Sequence, residues 1–215
     1  MRDKEKDAAM MAAKRKNMLQ TAYSLFSERG IDSVSMADIA RETGYGNTTL
    51  HRYFSNKPAL VVAVATWKWE EYTWERFAQR TPDIWDEHTA LEQYEFFLNA
   101  FIDLYNNHRD VLRFNQFFNI YMRSVSEDGE LLNPYTDMIE ALNTRFVRMY
   151  KKARVDGTLR TDESEQQMFS TSLHLMLAAV TRYAVGLVYS PEGCASPEEE
   201  LILLRDMLIR RYSNN

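Results

Sequence analysis

Apolar and polar positions alternate along the chain with the period of α-helices. Leu19, Ala22, Tyr23 and Phe26 recur at helical spacing, and no segment of the sequence keeps the period of two that marks a half-buried strand. Gly30 follows this first apolar stripe and is suited to end a helix, because glycine readily takes the left-handed conformation found there. The pattern predicts an all-α fold.

Similar stripes and stop signals predict a series of helices along the rest of the chain. Residues 81–88 and 126–133 are polar and are predicted to be loops, and Asp162 is expected to cap the helix that follows it. The predicted helices cover about residues 13–28, two short stretches within 35–54, and then 58–79, 91–107, 109–125, 134–155, 165–189 and 197–212.

The segment Ser35–Phe54 holds two short helices joined by a glycine-containing turn. Ser35 can cap the first helix and form a capping box with Asp38 three residues later. Gly44 and Gly46 flank the turn, where a positive φ is cheap only for glycine. This spacing is that of a helix-turn-helix, whose second helix enters a DNA major groove. An ordinary αα-hairpin has the same spacing, and the spacing alone favours neither interpretation.

Composition and charge narrow the class of protein. The 215 residues are 45% hydrophobic and 27% charged, which is enough apolar material for a sizeable core. The net charge of −5 is uneven: residues 1–60 carry a net +3 and residues 61–215 a net −8. This asymmetry favours an N-terminal module that binds a polyanion. The single cysteine, Cys194, excludes an internal disulfide and indicates a cytoplasmic protein.

A membrane span and catalytic chemistry are not predicted. The longest apolar segment, Leu173–Tyr189, is too short for a bilayer and contains Arg182. The four histidines, at 51, 88, 108 and 174, lack metal-binding spacing. Neither a nucleophile elbow nor a phosphate-binding glycine loop is present in the sequence. We therefore predict no catalytic residue, metal or cofactor.

Aromatic residues are concentrated in the middle of the chain. Fifteen of the 27 aromatic residues lie between residues 61 and 130, more than a helical core needs, although any one of them could simply fill that core. We expect an apolar cavity with a few polar anchors, suited to a small hydrophobic ligand. The predicted wall residues are Trp67, Phe97, Phe101, Phe117, Tyr121, Phe146 and Tyr150, and His174 is either a polar anchor or a satisfied core histidine.

The last two predicted helices carry apolar stripes that suit a four-helix bundle between two copies of the chain. The same stripes could instead face the chain's own core. The predicted interface residues are Leu173, Leu177, Val180, Ala184 and Leu187 on one helix and Leu201, Leu204 and Leu208 on the other.

Residues 14–62 resemble the DNA-binding domain of TetR-family transcriptional regulators. The resemblance rests on Ala22, Leu25, Phe26, Gly30, Ser35, Ile39, Ala40, Gly44, the run Thr49–Phe54, Asn56, Lys57 and Leu60. It implies an N-terminal three-helix helix-turn-helix domain over residues 1–60. A C-terminal helical bundle over residues 61–215 would then bind ligand and dimerise. The implied protein is a homodimeric repressor that binds palindromic double-stranded operator DNA and releases it when a small molecule binds.

The resemblance also implies roles for individual residues. Phosphate contacts are implied for Ser35, Thr49, His51 and Lys57, and positions near base edges for Tyr45, Asn47 and Thr48. Three positions depart from the family pattern: His51 replaces a tyrosine, Tyr45 a small β-branched residue and Gly46 a serine-like residue. The alternatives are an all-helical enzyme or carrier that uses the aromatic cavity, and a helical adaptor without a ligand. The lack of catalytic residues counts against the enzyme.

Overall fold

The computed structural model of the protein describes residues 4–77, 82–125, 129–186 and 188–214, without the side chains of residues 74–77 and 82–84. The described residues form ten α-helices and one 3₁₀ helix (Gly129–Leu132), with no β-strand among them. The helices are α1 (Lys4–Arg29), α2 (Met36–Thr43), α3 (Asn47–Tyr53), α4 (Lys57–Phe77), α5 (Pro82–Glu87), α6 (Ala90–Asn107), α7 (Arg109–Val125), α8 (Asn133–Asp156), α9 (Glu165–Val185) and α10 (Pro197–Tyr212).

The predicted all-α fold is confirmed. Two helices differ from the prediction: one begins earlier than expected, and another replaces a predicted loop. Helix α1 starts at Lys4, well before the predicted Ala13. Its first turns are rich in alanine, lysine and methionine, which favour helix by intrinsic propensity, whereas the first buried residue is Met18. Residues 82–87, predicted to be a loop, form α5, with a proline in the first turn where it is tolerated.

The ends of α9 also differ from the prediction. Ser164 caps this helix, and its Oγ accepts a hydrogen bond from the backbone N–H of Gln167. The carboxylate of Asp162 instead accepts from the guanidinium of Arg160 at 2.5 Å. The helix stops before Gly186, which has a φ of 90°, so the apolar run ends on a conformation that only glycine adopts cheaply.

Two compact units divide the chain. The N-terminal unit comprises Met1–Glu71 and Phe114–Met138, and the C-terminal unit comprises Tyr72–Arg113 and Ile139–Asn215. The predicted boundary at residue 60 lies within α4, which contributes residues to both units. None of the described helices is both long and apolar enough to cross a membrane.

The core of the N-terminal unit takes buried side chains from five helices. Phe26, Ile39, Leu50 and Leu60, one from each of α1 to α4, are inaccessible to solvent, and Phe114 of α7 joins them. Helices as short as α2 and α3 are unstable in isolation. Burial of Ile39 and Leu50 in this shared core therefore holds the two short helices in place.

The C-terminal unit is built around α6, which packs against α9 and α10, while those two helices also pack against each other. The hydroxyl groups of Tyr94 on α6 and Ser172 on α9 form a hydrogen bond of 2.7 Å, and both side chains are fully buried. Burial raises the pKa of Tyr94 far above its usual range, so the phenol keeps its proton. This polar pair fixes α6 and α9 in one register, because any shift would leave buried hydroxyls unpaired.

We expect Tyr94→Phe to destabilise the protein by about 1–3 kcal/mol, because the Ser172 hydroxyl would remain buried without its partner. Adding Ser172→Ala removes the second hydroxyl and should restore most of the loss. Urea unfolding of the wild type, both single variants and the double variant measures this coupling. A double variant that loses the full sum of both single effects would show that the hydroxyls act independently.

Candidate nucleic-acid interface

A capping box fixes the start of the first helix-turn-helix element, α2. The Ser35 Oγ accepts from the backbone N–H of Asp38 at 3.1 Å, and Asp38 Oδ2 accepts from the backbone N–H of Ser35 at 3.0 Å. The Ser35 hydroxyl donates its proton to the same carboxylate at 2.6 Å. Because the hydroxyl proton of Ser35 is donated to Asp38, it is not available to a phosphate in this conformation. In the structure Ser35 is a helix cap.

The turn between α2 and α3 uses its two glycines differently. Gly44 has a φ of 71° and its backbone N–H bonds to the carbonyl of Arg41, which ends α2 in the left-handed conformation. Gly46, in contrast, is extended with a φ of −66° and is the N-cap of α3. The prediction of a positive φ at Gly46 is therefore wrong, and any residue could take its backbone conformation. Its lack of a side chain leaves the N-terminus of α3 open.

Helix α3 has one buried and one solvent-facing side. Leu50 is fully buried on the inner side, whereas Asn47, Thr48 and His51 are exposed. Thr49 and Tyr45 are half-buried, and Tyr45 packs against the N-terminal core. The structure thus brings the residues implied to lie near base edges to the start of α3. Asn47 and Thr48 present their polar groups to solvent, while the ring of Tyr45 is partly used in packing.

His51 is oriented by the backbone that follows α3. Its Nδ1 lies 3.3 Å from the carbonyl oxygen of Ser55, which can only accept, so Nδ1 carries the hydrogen in this contact. In the neutral ring Nε2 is then an acceptor. A hydrogen bond from His51 to a phosphate would consequently need the doubly protonated ring.

Lys57 lies at the start of α4 and is half-buried. Its Nζ donates to the backbone carbonyl of Asp32 at 3.3 Å and lies 5.3 Å from the ring centroid of Tyr121. Burial lowers the pKa of Lys57, and the charge of Asp32 opposes this effect. The Lys57 ammonium group is thus held in place and only partly solvated.

Two further cations near the end of α3 were not identified from the sequence as site residues. The guanidinium of Arg15 lies 5.4 Å from the ring centroid of Phe54, and that of Arg52 lies 6.0 Å from the ring centroid of Tyr53. Arg52 directly follows His51 and is exposed. Its position next to a predicted contact residue could have identified it as a site residue from the sequence. Arg15 belongs to the basic cluster at residues 14–16. A solvated helix face is the more common interpretation of such a cluster, and a patch that contacts the phosphate backbone is the alternative.

The predicted effector residues belong to both units. In the C-terminal unit, Phe97 contacts Phe101 and Phe146 with ring centroids 5.4 and 5.3 Å apart. The hydroxyl of Tyr150 is bonded to the carbonyl of Glu163, and His174 is exposed rather than buried on α9. His174 is therefore not a core residue, because α9 turns a different face, with Met176 and Val180, toward the core. Its role as a polar anchor stays a prediction.

The other three predicted effector residues lie in the N-terminal unit. Trp67 is half-buried with its ring edge-to-face with that of Tyr23, and Phe117 is 38% exposed. Tyr121 is buried beside Lys57. These rings therefore serve the core and surface of the unit that carries the helix-turn-helix.

A narrow apolar cleft in the C-terminal unit combines two predicted residues with several that were not predicted. It encloses about 30 Å³, room for about one water molecule. The Gln93 side chain amide in its wall donates to the carbonyls of Trp85 and His88. The main lining residues are Trp85, Gln93, Phe96, Phe97, Arg145, Phe146 and Met149.

The predicted dimer residues are mostly covered by their own chain. Leu173, Leu177 and Leu204 are half-buried, and Leu187 lies outside the described residues. The exposed large apolar residues of α9 and α10 are Leu175, Val185, Leu203 and Met207. The fully buried members of the predicted set are Val180, Ala184, Leu201 and Leu208; they pack into the core and offer no surface to a partner.

No three His, Cys, Asp or Glu side chains within the described ranges converge on a position that could hold a metal ion. The geometry instead concentrates hydrogen-bonding side chains on the outer side of α3, and cations around its C-terminal end. These features define a helix-turn-helix surface.

Comparisons with known proteins agree with this geometry. Residues 18–64 match the sequence model of the bacterial regulatory proteins of the tetR family. The HTH-type transcriptional regulator YvdT of Bacillus subtilis is 39% identical over 54 residues, which are 25% of this chain and 28% of YvdT. The match thus spans about a quarter of the length of this curated relative.

Solved structures share the whole fold at low sequence identity. A transcriptional regulator from Saccharomonospora viridis, in complex with choline, is 17% identical with a TM-score of 0.72, and the match covers 95% of this chain and 100% of that one. FadR from Bacillus subtilis, in complex with stearoyl-CoA, is 14% identical with a TM-score of 0.68, and the match covers 90% and 97%. Residues 18–64 thus match the tetR-family model, and the fold of the whole chain is shared with transcriptional regulators of known structure.

The capping box gives a prediction about acid stability. Hydrogen bonds from the side chain and backbone of Ser35, with help from Arg41, lower the pKa of Asp38 from 3.8 to about 2. The stabilisation is complete well above pH 3.8 and is lost as the pH falls toward 2. Ser35→Ala should return the pKa of Asp38 toward 3.8, as measured by carbon NMR of the carboxyl group. Ser33→Ala, at an exposed serine before the cap, is the control, and an unchanged pKa in Ser35→Ala would contradict the capping role.

Proposed function

We propose that the protein is a ligand-responsive transcriptional repressor that acts in the cytoplasm and binds a palindromic operator as a homodimer. The observation that carries this proposal is the two-sided character of α3. Leu50 anchors the helix in a shared core, while Asn47, Thr48 and His51 face solvent. A helix that is anchored by its buried face and exposes polar side chains on the opposite face suits insertion into a major groove.

The distribution of charge supports the same function. The first 60 residues carry a net +3 within a chain of net −8 elsewhere. Within the N-terminal unit, Arg52 lies in the last turn of α3, and Lys57 lies at the start of α4, after the intervening turn. Such cations supply the salt-sensitive, sequence-independent part of DNA binding, while side chains on α3 supply base recognition.

The cleft in the C-terminal unit is the candidate effector site. Its wall is mostly apolar and includes four aromatic rings, as a site for a small hydrophobic ligand would. The two ligand-bound structures in the comparison support a ligand in this fold. A volume of about 30 Å³ means that the rings must separate to admit a ligand. A larger groove of about 300 Å³, lined by Glu95, Asn99 and Arg205, is too polar for such a ligand.

Screening apolar compounds for tryptophan quenching together with operator release tests the effector site. Quenching by a compound that leaves DNA bound would separate the cleft from the regulation of DNA binding.

The dimer interface is proposed on the exposed face of α9 and α10. Leu203 and Met207 are four residues apart on α10, so they share one helix face, and they are 59% and 58% exposed. Leu175 on α9 is exposed as well. Apolar side chains of this size on one face favour a partner helix pair.

We expect Lys57→Ala to weaken binding to all DNA sequences alike. Each dimer would lose two phosphate contacts, so the slope of log K against log salt should flatten by up to about two units. Fluorescence anisotropy with the promoter of the protein's own gene, at several salt concentrations, gives this slope. Lys151→Ala removes an exposed lysine of α8 and is the control. Salt-insensitive binding by the wild type, or an unchanged slope in Lys57→Ala, would rule out the phosphate contact.

We expect Met207→Arg to shift the protein from dimer to folded monomer, because a buried unpaired charge costs several kcal/mol. Val155→Arg, on an exposed position of α8, is the matched control and should leave the dimer intact. Sedimentation velocity at micromolar concentration distinguishes the two states. A wild type that sediments as a monomer would refute the interface.

A further inference from the structure

The aromatic ring beside Lys57 comes from α7, a helix outside the helix-turn-helix. The Nζ of Lys57 lies 5.3 Å from the ring centroid of Tyr121 and donates to the Asp32 carbonyl at 3.3 Å. We propose that Tyr121 is a positioning residue that holds Lys57 ready for a DNA phosphate, so that α7 contributes to operator affinity. This inference rests on the proposed DNA-binding function.

The Tyr121 ring is itself held firmly. Only 7% of Tyr121 is exposed, and Phe118 and Met122 next to it belong to the same buried core. Its backbone carbonyl accepts a hydrogen bond of 2.7 Å from the hydroxyl of Ser124. Burial raises the pKa of Tyr121, so the phenol remains neutral and the ring offers its negative π-face to the ammonium group.

A fixed ring is useful here because lysine is flexible. Its side chain has four carbons and a strongly hydrated ammonium group, and it loses rotamer entropy when it binds a phosphate. Contact with Tyr121 and the Asp32 carbonyl restricts the side chain before DNA arrives. The ammonium has three N–H donors, and among the described residues the Asp32 carbonyl accepts one hydrogen bond from it, which leaves donors for a phosphate oxygen.

Helix α7 contacts α4 at a second point within the same unit. Trp69 Nε1 of α4 donates to Asn115 Oδ1 of α7 at 3.4 Å, and the hydroxyl of Tyr135 donates to the same oxygen at 3.3 Å. Asn115 is only 2% exposed. Because α7 is attached to α4 both at Trp69 and at Lys57, a displacement of α7 would move the ring away from the ammonium group.

A double-mutant cycle on the full-length dimer tests the inference. Tyr121→Leu should lower operator affinity about five- to tenfold, since each of two subunits loses one cation–π contact. In a Lys57→Ala background the same substitution should have almost no effect. Tyr121→Phe keeps the ring and should bind like the wild type. Phe118→Leu, a core substitution away from Lys57, controls for a general loss of stability.

A fluorinated phenylalanine at position 121 covers the case in which Tyr121→Leu does not fold. Fluorination weakens the negative face of the ring and preserves its shape, so affinity should fall with each added fluorine only when Lys57 is present. An equal effect of Tyr121→Leu with and without Lys57, or no effect of fluorination, would overturn the positioning role while leaving DNA binding intact. A wild type without DNA affinity would instead overturn the proposed function and this inference together.

Discussion

The burial of one side of a very short helix is the constraint on which the DNA-binding surface depends. Helix α3 has seven residues, too few to be stable in water on its own. Leu50, fully buried, joins this helix to a core built by Phe26, Ile39 and Leu60. The side chains on the opposite side of α3 can remain polar and exposed because the inner side supplies the stabilisation.

Two positive groups near α3 each lie over an aromatic ring. Arg15 lies over Phe54 and Lys57 over Tyr121. A carboxylate would neutralise a cation and compete with phosphate, whereas a neutral ring fixes its position and leaves its charge available. Arg41 shows the opposite arrangement, because its guanidinium is paired with Asp38 at 2.5 Å. This difference separates cations suited to DNA from one that supports the helix cap.

Local signals in the sequence were sufficient for the fold and for the helix-turn-helix. The Ser35–Asp38 capping box and the left-handed Gly44 follow from short-range chemistry and occur as predicted. Contacts between distant residues were not readable in this way. Tyr121 was assigned to an effector cavity, yet it packs beside Lys57, because an aromatic residue in a helical stripe does not reveal which neighbour it meets.

The helix faces show the same limit. Val180 and Leu201 lie in apolar stripes that would suit either a partner or the chain's own core, and the structure buries them in that core. Met207 lies outside the predicted stripe and is exposed. The spacing of apolar residues along a helix identifies one buried face. A helix in an interface between two copies has a second apolar face, which that spacing alone does not reveal.

Hydroxyl-radical footprinting of the promoter of the protein's own gene tests most directly whether α3 reads a palindromic operator. A symmetric dimer with one α3 in each half-site should protect two sets of sugars whose centres are about 10 base pairs apart, one turn of DNA, or a multiple of it. Substitution of Thr48 by alanine should alter protection at symmetric positions in both half-sites. A single asymmetric patch, or no protection at concentrations where the protein is folded and dimeric, would contradict this account.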